Sequence, residues 1–423
     1  MRKQAQSTSA TTGLHGPVAD SIPGSSATSS SDVKVEREQP VLDVHLIGGM
    51  ANRMIEYMVV RRLAEAVPGC RISNVQLPEW GIDHPALPET ASRPGHVPVS
   101  PGNIRLAEVI ESLSSGKRSR YSFKSYAQWL PNFPKLDFCR SLFPADERAF
   151  PGFGSDSLVC NIRGAEVLDA RNPDYTLLPI EFYAELAGMT GLKLVFMGQI
   201  EENAYCDALK RRFPDATFQQ SRGPMADFQI FRNSKNLVPA ISTFSWLSAW
   251  LSQSETIILP VSGLFHPVQC PYSDLLPCAD SRYRFYLFPI NYSVPVDRFE
   301  AAHRSIEGRW RCMNSEAIAR LRSTTPRWPR RLDRFVSMFD EAFYLKANPD
   351  VAREVSAGRL QSGLDHYVQH GFKEGRLCFN IDYRWYSVEY PLAAFEVGNG
   401  DYADLTHHYM EVGALRGYKP LPP

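Results

Sequence analysis

From Ser157 to Pro260, short apolar runs alternate with amphipathic stretches of similar length, and this alternation constrains the fold more than any other feature. The runs SLVCNI, LKLVFM, ATFQ, LVPAIS and TIILP are typical of strands. The stretches IEFYAELAGM, MADFQIFRN and FSWLSAWLS are typical of helices. Strands that alternate with helices of this length predict a parallel sheet covered on both faces. The predicted fold class is therefore α/β.

A second unit of the same kind lies upstream. Residues 41–47 have the pattern of a buried strand, Gly48-Gly49 that of a tight turn, and residues 51–66 that of a helix. Prolines interrupt residues 68–150, where we expect a helix near 105–114 and mostly loops elsewhere. We expect two Rossmann-like domains that face one cleft, over residues 41–153 and 154–303.

Two further segments differ in composition from these domains. Residues 1–40 are rich in Ser, Thr, Gly and Pro, and we expect a disordered tail because they bury too little apolar surface to offset the entropy of ordering. Residues 304–334 contain nine arginines against three acidic residues, together with Trp310 and Trp328. Two interpretations of this basic segment stay open: an Arg-bearing helix with a Pro-rich linker, or a patch that rests on an anionic membrane surface.

Residues 335–423 contain a repeat with a period of 42 residues. Recurrence at one fixed offset indicates stacked supersecondary units, here helix pairs. The histidines recur with the architecture, so we expect packing residues rather than ligands. The recurring pairs are Asp340 and Asp382, Tyr344 and Tyr386, Pro349 and Pro391, Gly358 and Gly400, His366-Tyr367 and His408-Tyr409, Gly371 and Gly413, and Gly375 and Gly417.

Charge and cysteine content argue against several classes of protein. The chain has 46 Lys and Arg and 46 Asp and Glu residues, whereas a nucleic-acid-binding protein usually has a basic balance. No apolar stretch approaches the ~20 residues of a membrane-spanning helix, and the first thirty residues lack the apolar core of a signal peptide. The eight cysteines include no Cys-x-x-Cys pair, which favours reduced thiols. We expect a cytoplasmic protein without a nucleic-acid partner.

The turn at residues 48–53 is the first candidate for ligand binding, through Gly48, Gly49, Asn52 and Arg53. A glycine turn lets a ligand approach the backbone, and the helix that follows offers free N–H groups to an anion. The turn does not match G-x-G-x-x-G, so the dinucleotide fingerprint fails. A glycine pair that merely ends a strand is the alternative.

The second candidate follows the strand SLVCNI and contains Asn161, Arg163, Gly164 and Glu166. Ligands of open α/β sheets collect beyond the carboxyl ends of strands. An arginine there presents a planar, permanently charged fork to phosphate oxygens. Glu166 would orient this arginine or accept a proton, and a purely structural Arg163–Glu166 pair is the alternative.

The third candidate lies where the strand LVPAIS meets the next helix. Hydroxyl and N–H groups converge at such a junction and suit a diphosphate. Plain N-capping is the alternative, and it is compatible with binding. Trp246 and Trp250 share a helix face and are expected in the core. The residues of the junction are Ser242, Thr243, Phe244 and Ser245.

A metal site is not expected. The chain has no Asp-x-Asp pair, and His266, Cys270 and Cys278 fit no common zinc spacing. It also lacks a P-loop, a G-x-S-x-G elbow and an H-E-x-x-H motif, which removes the support for kinase and hydrolase functions.

The three segments, in this order, resemble the α-1,2-fucosyltransferase-like family of GT-B-type glycosyltransferases. GGMANRMIEY resembles the family's G-G-L-G-N-Q-M-F-Q-Y, and NIRGAEV followed by LLPIEFYAEL stands in the place of its H-x-R-x-G-D motif. ADFQIF and LVPAISTFSWLSAWLSQSETIILP follow its third segment closely, with STFSW as the most specific part. The similarity covers residues 41–290.

The resemblance implies a GT-B-like fold that transfers a sugar, commonly fucose from GDP-fucose, with inversion and without a metal. Arg163 would neutralise the donor pyrophosphate, and Glu166 is the nearest carboxylate to propose as the base. Asp227 matches the acidic position of the third segment. The donor-binding residues would be Asn161, Arg163, Gly164, Asp227, Ser242, Thr243, Phe244 and Ser245, and the cleft loop would contain Gly48, Gly49, Asn52 and Arg53.

Departures from the middle motif leave other functions open. Asn161, Ala165 and Glu166 stand where the family has His, Gly and Asp. Asn removes a titratable base, and Glu moves the carboxylate by a methylene. The alternatives are a catalytically degenerate scaffold that binds a nucleotide sugar or glycan and acts through its C-terminal repeats, or a transferase that uses a UDP- or dTDP-activated sugar.

The C-terminal repeats resemble modules appended to bacterial glycosyltransferases, through FDEAFYLKANPDVA and LDHYVQHGFKEGR. We expect the acceptor to be a glycan or a lipid-linked sugar. Residues 335–423 would dock a protein partner, and residues 304–334 would give peripheral contact with the inner face of the membrane.

Overall fold

The computed structural model describes residues 38–88, 94–97, 103–168, 172, 174–290, 296–324, 332–372 and 376–423. The chain divides after Glu38, and the features below belong to residues 39–423. The described residues form two larger sheets of mainly parallel strands and a small antiparallel pair of strands, with helices around them and a helical C-terminal part. The predicted α/β class is confirmed. The predicted N-terminal tail lies outside the described residues, except for its last three.

The elements are numbered in chain order. The strands are β1 (Val41–Val44), β2 (Arg71–Ser73), β3 (Val75–Leu77), β4 (Ile82–His84), β5 (Gly95–Val97), β6 (Arg120–Phe123), β7 (Ser157–Ile162), β8 (Lys193–Gly198), β9 (Thr217–Gln220), β10 (Asn236–Val238), β11 (Thr256–Val261), β12 (Tyr283–Leu287) and β13 (Arg311–Met313). The helices are α1 (Met50–Ala66), α2 (Leu106–Ser114), α3 (Leu136–Leu142), α4 (Ala165–Leu168), α5 (Ile180–Thr190), α6 (Ala204–Arg212), α7 (Pro224–Asn233), α8 (Thr243–Leu251), α9 (Phe299–Ile306), α10 (Ser315–Thr324), α11 (Leu332–Ser337), α12 (Glu341–Ala347), α13 (Pro349–Ser356), α14 (Gly363–His366), α15 (Tyr383–Glu389), α16 (Pro391–Gly398) and α17 (Leu405–His408).

The first sheet has the strand order β2-β1-β6-β5, and all of its strands are parallel. Three of them, β2, β5 and β6, lie where only loops and one helix were predicted. They escape the pattern because each has three or four residues and includes polar positions. The first strand also ends at Val44 rather than at residue 47. The backbone N–H of Ile47 donates to the Glu56 carboxylate instead of a neighbouring strand.

The second sheet has the order β9-β8-β7-β10-β11-β12-β13. Its first six strands are parallel and follow the doubly wound order 3-2-1-4-5-6, while β13 is antiparallel to β12. All six residues of β7 are buried, as expected for a central strand with helices on both faces. The apolar runs from Ser157 to Pro260 were therefore correctly predicted as strands, which are β7 to β11. Two further strands, β12 and β13, complete the sheet.

The described part of the basic segment contributes a strand to this second sheet and includes the Arg-bearing helix α10, while the Pro-rich residues 325–331 lie outside the described residues. The strand is β13, and Trp310 is buried with its indole N–H donating to Glu185 at 2.8 Å. Arg311 donates to the Ala403 carbonyl, and Arg320 pairs with Asp401 at 3.1 Å. Trp310 is thus a core residue and does not face a membrane, while Trp328 lies outside the described residues. None of the described helices combines the length and apolar character that crossing a bilayer requires.

The C-terminal repeats are helix pairs, as their period predicted. α12 and α13 form the first pair, and α15 and α16 form the second. The buried Tyr344 hydroxyl lies 2.9 Å from His366 Nδ1, and the Tyr386 hydroxyl lies 3.0 Å from His408 Nδ1. Each pair is followed by a short helix that continues into a π-helical turn, at Tyr367–Gly371 and at Tyr409–Gly413. The recurring histidines are packing residues, which confirms that interpretation.

We predict that Gly400→Ala detaches the second repeat from α10 and that Gly417→Ala does not. Both glycines have a positive φ, of +79° and +76°, but a Cβ on Gly400 would overlap the Ala317 carbonyl whereas one on Gly417 meets open space. Left-handed strain alone costs about 1–2 kcal/mol, and the overlap adds to it only at Gly400. Urea unfolding of both variants measures the difference, and equal losses would contradict this packing.

Candidate functional site

The strand order of the second sheet creates a crevice between the carboxyl ends of β7 and β10. The chain leaves β7 towards β8 on one side and leaves β10 towards β11 on the other, so the two loops separate there. In open α/β sheets ligands bind at such a switch point. Arg163 directly follows β7, and Ser242 follows β10 by four residues. The second and third sequence candidates therefore lie on either side of one crevice.

Arg163 is positioned by an aromatic ring. Its guanidinium carbon lies 4.4 Å from the centre of the Tyr175 ring, and the side chain is half-buried. Burial raises the pKa of Tyr175, and the charge of Arg163 partly offsets that rise. A Cβ on Gly164 would lie 2.9 Å from the Gln199 carbonyl, so a larger residue would move this loop. The backbone of Glu166 is in α4, and its side chain lies outside the described part of the chain.

The first turn of α8 is capped from within. Ser242 Oγ accepts the N–H groups of Phe244 at 3.1 Å and Ser245 at 3.4 Å, and the Ser245 hydroxyl donates to the Ala240 carbonyl at 3.0 Å. Thr243 is buried beside them. N-capping is confirmed, and it fixes the geometry of the first turn of α8. The tryptophans of this helix, Trp246 and Trp250, are buried and stacked at 5.7 Å, which confirms their place in the core.

Asp227 holds the loop that leads into α7. Its buried carboxylate accepts the Ser221 hydroxyl and the Arg222 backbone N–H at 2.9 Å. α7 packs along α8, where the Phe228 and Phe244 rings lie 5.5 Å apart. The carboxylate thus has a structural function at this helix N-terminus, and its contact with a donor stays a prediction.

In the first domain, the turn after β1 needs glycine at one of its two positions. Gly48 has φ +76°, and a Cβ there would lie 2.6 Å from Asn52 Nδ2. Gly49 is the N-cap of α1, has an ordinary φ and faces open space. Asn52 Oδ1 accepts a hydrogen bond from Gln128 Nε2 at 3.2 Å, and Arg53 pairs with Glu79 at 3.2 Å. The cleft loop is therefore fastened to the loop after β6.

The loop after β6 joins the two domains. The Asp274 N–H donates to the Gln128 carbonyl at 2.9 Å, and the Leu130 N–H donates to the Asp274 carbonyl at 2.7 Å. Helix α1 also packs against α8. The loop after β6 therefore connects the first domain to the segment that follows β11 in the second domain.

The segment after β11 is a part of the site that sequence reasoning missed. It was weighed there only as a zinc set through His266, Cys270 and Cys278. His266 Nδ1 instead accepts the N–H groups of Val268 and Gln269 at 3.2 Å, and burial lowers the pKa of His266 to about 3. The described residues contain no group of His, Cys, Asp and Glu side chains able to hold a metal ion.

This segment surrounds Asp174, a carboxylate in the loop after β7. The Tyr272 hydroxyl donates to Asp174 Oδ2 at 2.5 Å, and Gln269 Nε2 donates to Oδ1 at 3.2 Å. Burial and the Asp174 carboxylate hold the pKa of Tyr272 well above its usual range, so the tyrosine remains a donor. Asp174 precedes Tyr175, the ring under Arg163. The position of Asp174 in a long irregular segment after a predicted strand is the signal that would have marked this residue as a candidate.

Glu56 is a buried carboxyl group that shapes the cleft loop. It lies in α1 with no exposed surface and accepts the Ile47 N–H through both oxygens, at 3.0 and 3.3 Å. Burial raises the pKa of Glu56 from 4.5 to about 8, although the Ile47 N–H and Arg53 counteract the rise. The group is therefore largely neutral at pH 7.

We predict that Glu56→Gln removes a pH dependence of stability. In the wild type the carboxyl group is neutral in both states below pH 4.5, but above it the unfolded chain ionises while the folded chain resists until about pH 8. Stability therefore falls as the pH rises through this window, by a few kcal/mol at about 1.4 kcal/mol per pKa unit. Urea unfolding at pH 5, 7 and 9 measures it. Parallel curves for wild type and variant would contradict the assignment.

Comparisons with known proteins give distant structural neighbours. No protein-family model matches the chain, and a search of curated proteins gives no match. A variant of Arabidopsis thaliana FUT1 in complex with GDP is 12% identical, with 53% of this chain and 71% of that chain covered and a TM-score of 0.35. The E. coli heptosyltransferase WaaC with ADP is 12% identical, with coverages of 52% and 86% and a TM-score of 0.28. The iron-containing dodecameric glycosyltransferase TibC from enterotoxigenic E. coli is 8% identical, with coverages of 56% and 62% and a TM-score of 0.29.

Proposed function

We propose that this chain transfers a sugar from a nucleoside diphosphate sugar to a hydroxyl group of a glycan acceptor. The reaction inverts the anomeric carbon and needs no metal ion, and the motif resemblance indicates GDP-fucose as the donor. One observation carries the proposal: Arg163 and the capped N-terminus of α8 flank the same crevice at the switch point of a doubly wound sheet.

The crevice suits a diphosphate for electrostatic reasons. As the bond to the anomeric carbon breaks, the leaving diphosphate gains negative charge. A helix N-terminus carries about half a positive charge, and an arginine adds a permanent one with two parallel donors. Because the Tyr175 ring and the Ser242 cap fix both groups in advance, they need little reorganisation during the reaction.

The first domain supplies the opposite wall of the cleft. The turn at Gly48 and the Asn52–Gln128 pair lie at its carboxyl edge. The acceptor binds there in this proposal, with its hydroxyl group directed at the anomeric carbon from the face opposite to the diphosphate. Attack from that face gives inversion.

A non-catalytic scaffold is the second candidate. It is favoured by Asn161, which stands at the histidine position of the family motif and has no titratable group. A scaffold would bind the nucleotide sugar or a glycan at the same crevice without turnover and would act through the C-terminal repeats. A transferase that uses another nucleotide sugar would bind it in the same crevice but would select a different nucleobase, such as uracil or thymine.

We predict that GDP stabilises the protein and that EDTA does not reverse the effect. A ligand that binds only the native state raises stability by about 2.7 kcal/mol at a hundred times its dissociation constant. Thermal-shift and calorimetric titrations with GDP, UDP and dTDP, each with and without EDTA, measure the preference. Stabilisation by UDP or dTDP but not by GDP would mean that the donor carries that nucleotide instead of GDP. The absence of any response would contradict nucleotide binding.

We predict that Arg163→Ala lowers turnover strongly while the melting temperature stays close to that of the wild type. Removing one preorganised donor to a developing charge costs about 100- to 1,000-fold in kcat. Arg212→Ala is the matched control, because Arg212 is an exposed arginine that pairs with Glu181 at 2.9 Å on a distant helix. Donor hydrolysis and transfer to glycan are the assays. Near-wild-type kinetics for Arg163→Ala would exclude this function of the residue.

A further inference from the structure

Asp174 lies in the segment between α4 and α5, and its partner Tyr272 is two residues from Asp274, which hydrogen-bonds to the loop after β6 in the first domain. Arg163 covers the ring of Tyr175, the residue next to Asp174. The Asp174 side chain is half-buried. It therefore lies close to the crevice without being sealed from it.

The carboxylate is not needed to fasten this loop, because the backbone already does so. The Leu264 N–H donates to the Asp174 carbonyl at 2.8 Å, and Gly263 approaches that carbonyl so closely that a Cβ would overlap it. The carboxylate oxygens accept hydrogen bonds from two side chains, Tyr272 and Gln269. Tyr272 is 46% exposed, so its hydroxyl group can exchange this bond for one with a bound molecule.

The other carboxylates near the cleft are less suitable as bases. Glu56 is fully buried and accepts the Ile47 N–H, and Asp227 is buried and accepts the Arg222 N–H of the loop before α7. Asp274 is buried and pairs with Arg322 at 3.3 Å. Unlike these three carboxylates, Asp174 combines partial exposure with hydrogen-bond donors that a substrate hydroxyl can replace.

We propose that Asp174 is the general base that accepts the proton of the acceptor hydroxyl group, with Tyr272 and Gln269 orienting its carboxylate. This assignment rests on the proposed function and replaces Glu166 in that role. The acceptor oxygen forms the bond to the anomeric carbon, and the bond from that carbon to the diphosphate oxygen breaks. The electron pair leaves with the diphosphate beside Arg163, and the proton ends on Asp174.

The test compares Asp174→Asn with the wild type in nucleotide binding and in turnover. Loss of a general base lowers kcat by about 100- to 10,000-fold, while the dissociation constant for GDP stays within about threefold of wild type because the base does not bind the nucleotide. Asp215→Asn is the control, since Asp215 is exposed in the turn before β9. Formate added to Asp174→Ala should restore part of the activity by supplying a carboxylate.

A second variant separates catalysis from loop structure. Tyr272→Phe removes a hydrogen bond that orients the Asp174 carboxylate, so kcat should fall while the dissociation constant for GDP stays close to that of the wild type. A purely structural contact between the two residues would lower the melting temperature and leave kcat unchanged, which would overturn the proposal. Turnover of Asp174→Asn within threefold of wild type would also overturn it. A wild type that binds GDP but turns over no donor would instead overturn the proposed function, and the base with it.

Discussion

The hydrogen bonds between Gln128, Leu130 and Asp274 are among the contacts that join the two domains. Two of the three candidate segments are connected to them. Gln128 also binds Asn52 behind the glycine turn, and Tyr272, two residues before Asp274, binds Asp174 beside the ring that supports Arg163. The ion pair of Asp274 with Arg322 compensates the burial of its charge, because an unpaired carboxylate there would be costly.

Strand order explains why residues far apart in sequence share one crevice. β7 and β10 are adjacent although β8 and β9 lie between them in the chain, since the connections turn away from each other at this point. Parallel strands place all their carboxyl ends on one edge, and helices that return antiparallel to them place their N-termini there as well. The strand order alone therefore places the positive end of α8 and the guanidinium of Arg163 at the same edge of the sheet, and the residues between them in sequence need no particular motif.

Strands β7 to β11 of the second sheet were predictable from sequence and most of the first sheet was not, for a physical reason. Strands such as β7 are buried on both faces and leave continuous apolar runs, whereas β2 and β5 have three residues each with charged or polar side chains. The cap of α8 was also predictable, because Ser242 acts on N–H groups within three residues. The Asp174–Tyr272 contact joins residues 98 positions apart in two irregular loops, and no periodicity marks either of them.

The structure also changes how strongly the altered middle motif supports a scaffold function. Asn161 is buried, its amide faces the Met197 carbonyl at 3.5 Å, and Gly198 of the adjacent strand lies against it. The side chain at this position thus packs between β7 and β8. An asparagine there alters the contact between two strands, while the carboxylate at Asp174 and the cation at Arg163 remain in place at the crevice. The loss of a titratable group at residue 161 is therefore weak support for a scaffold, because the side chain at this position packs between two strands.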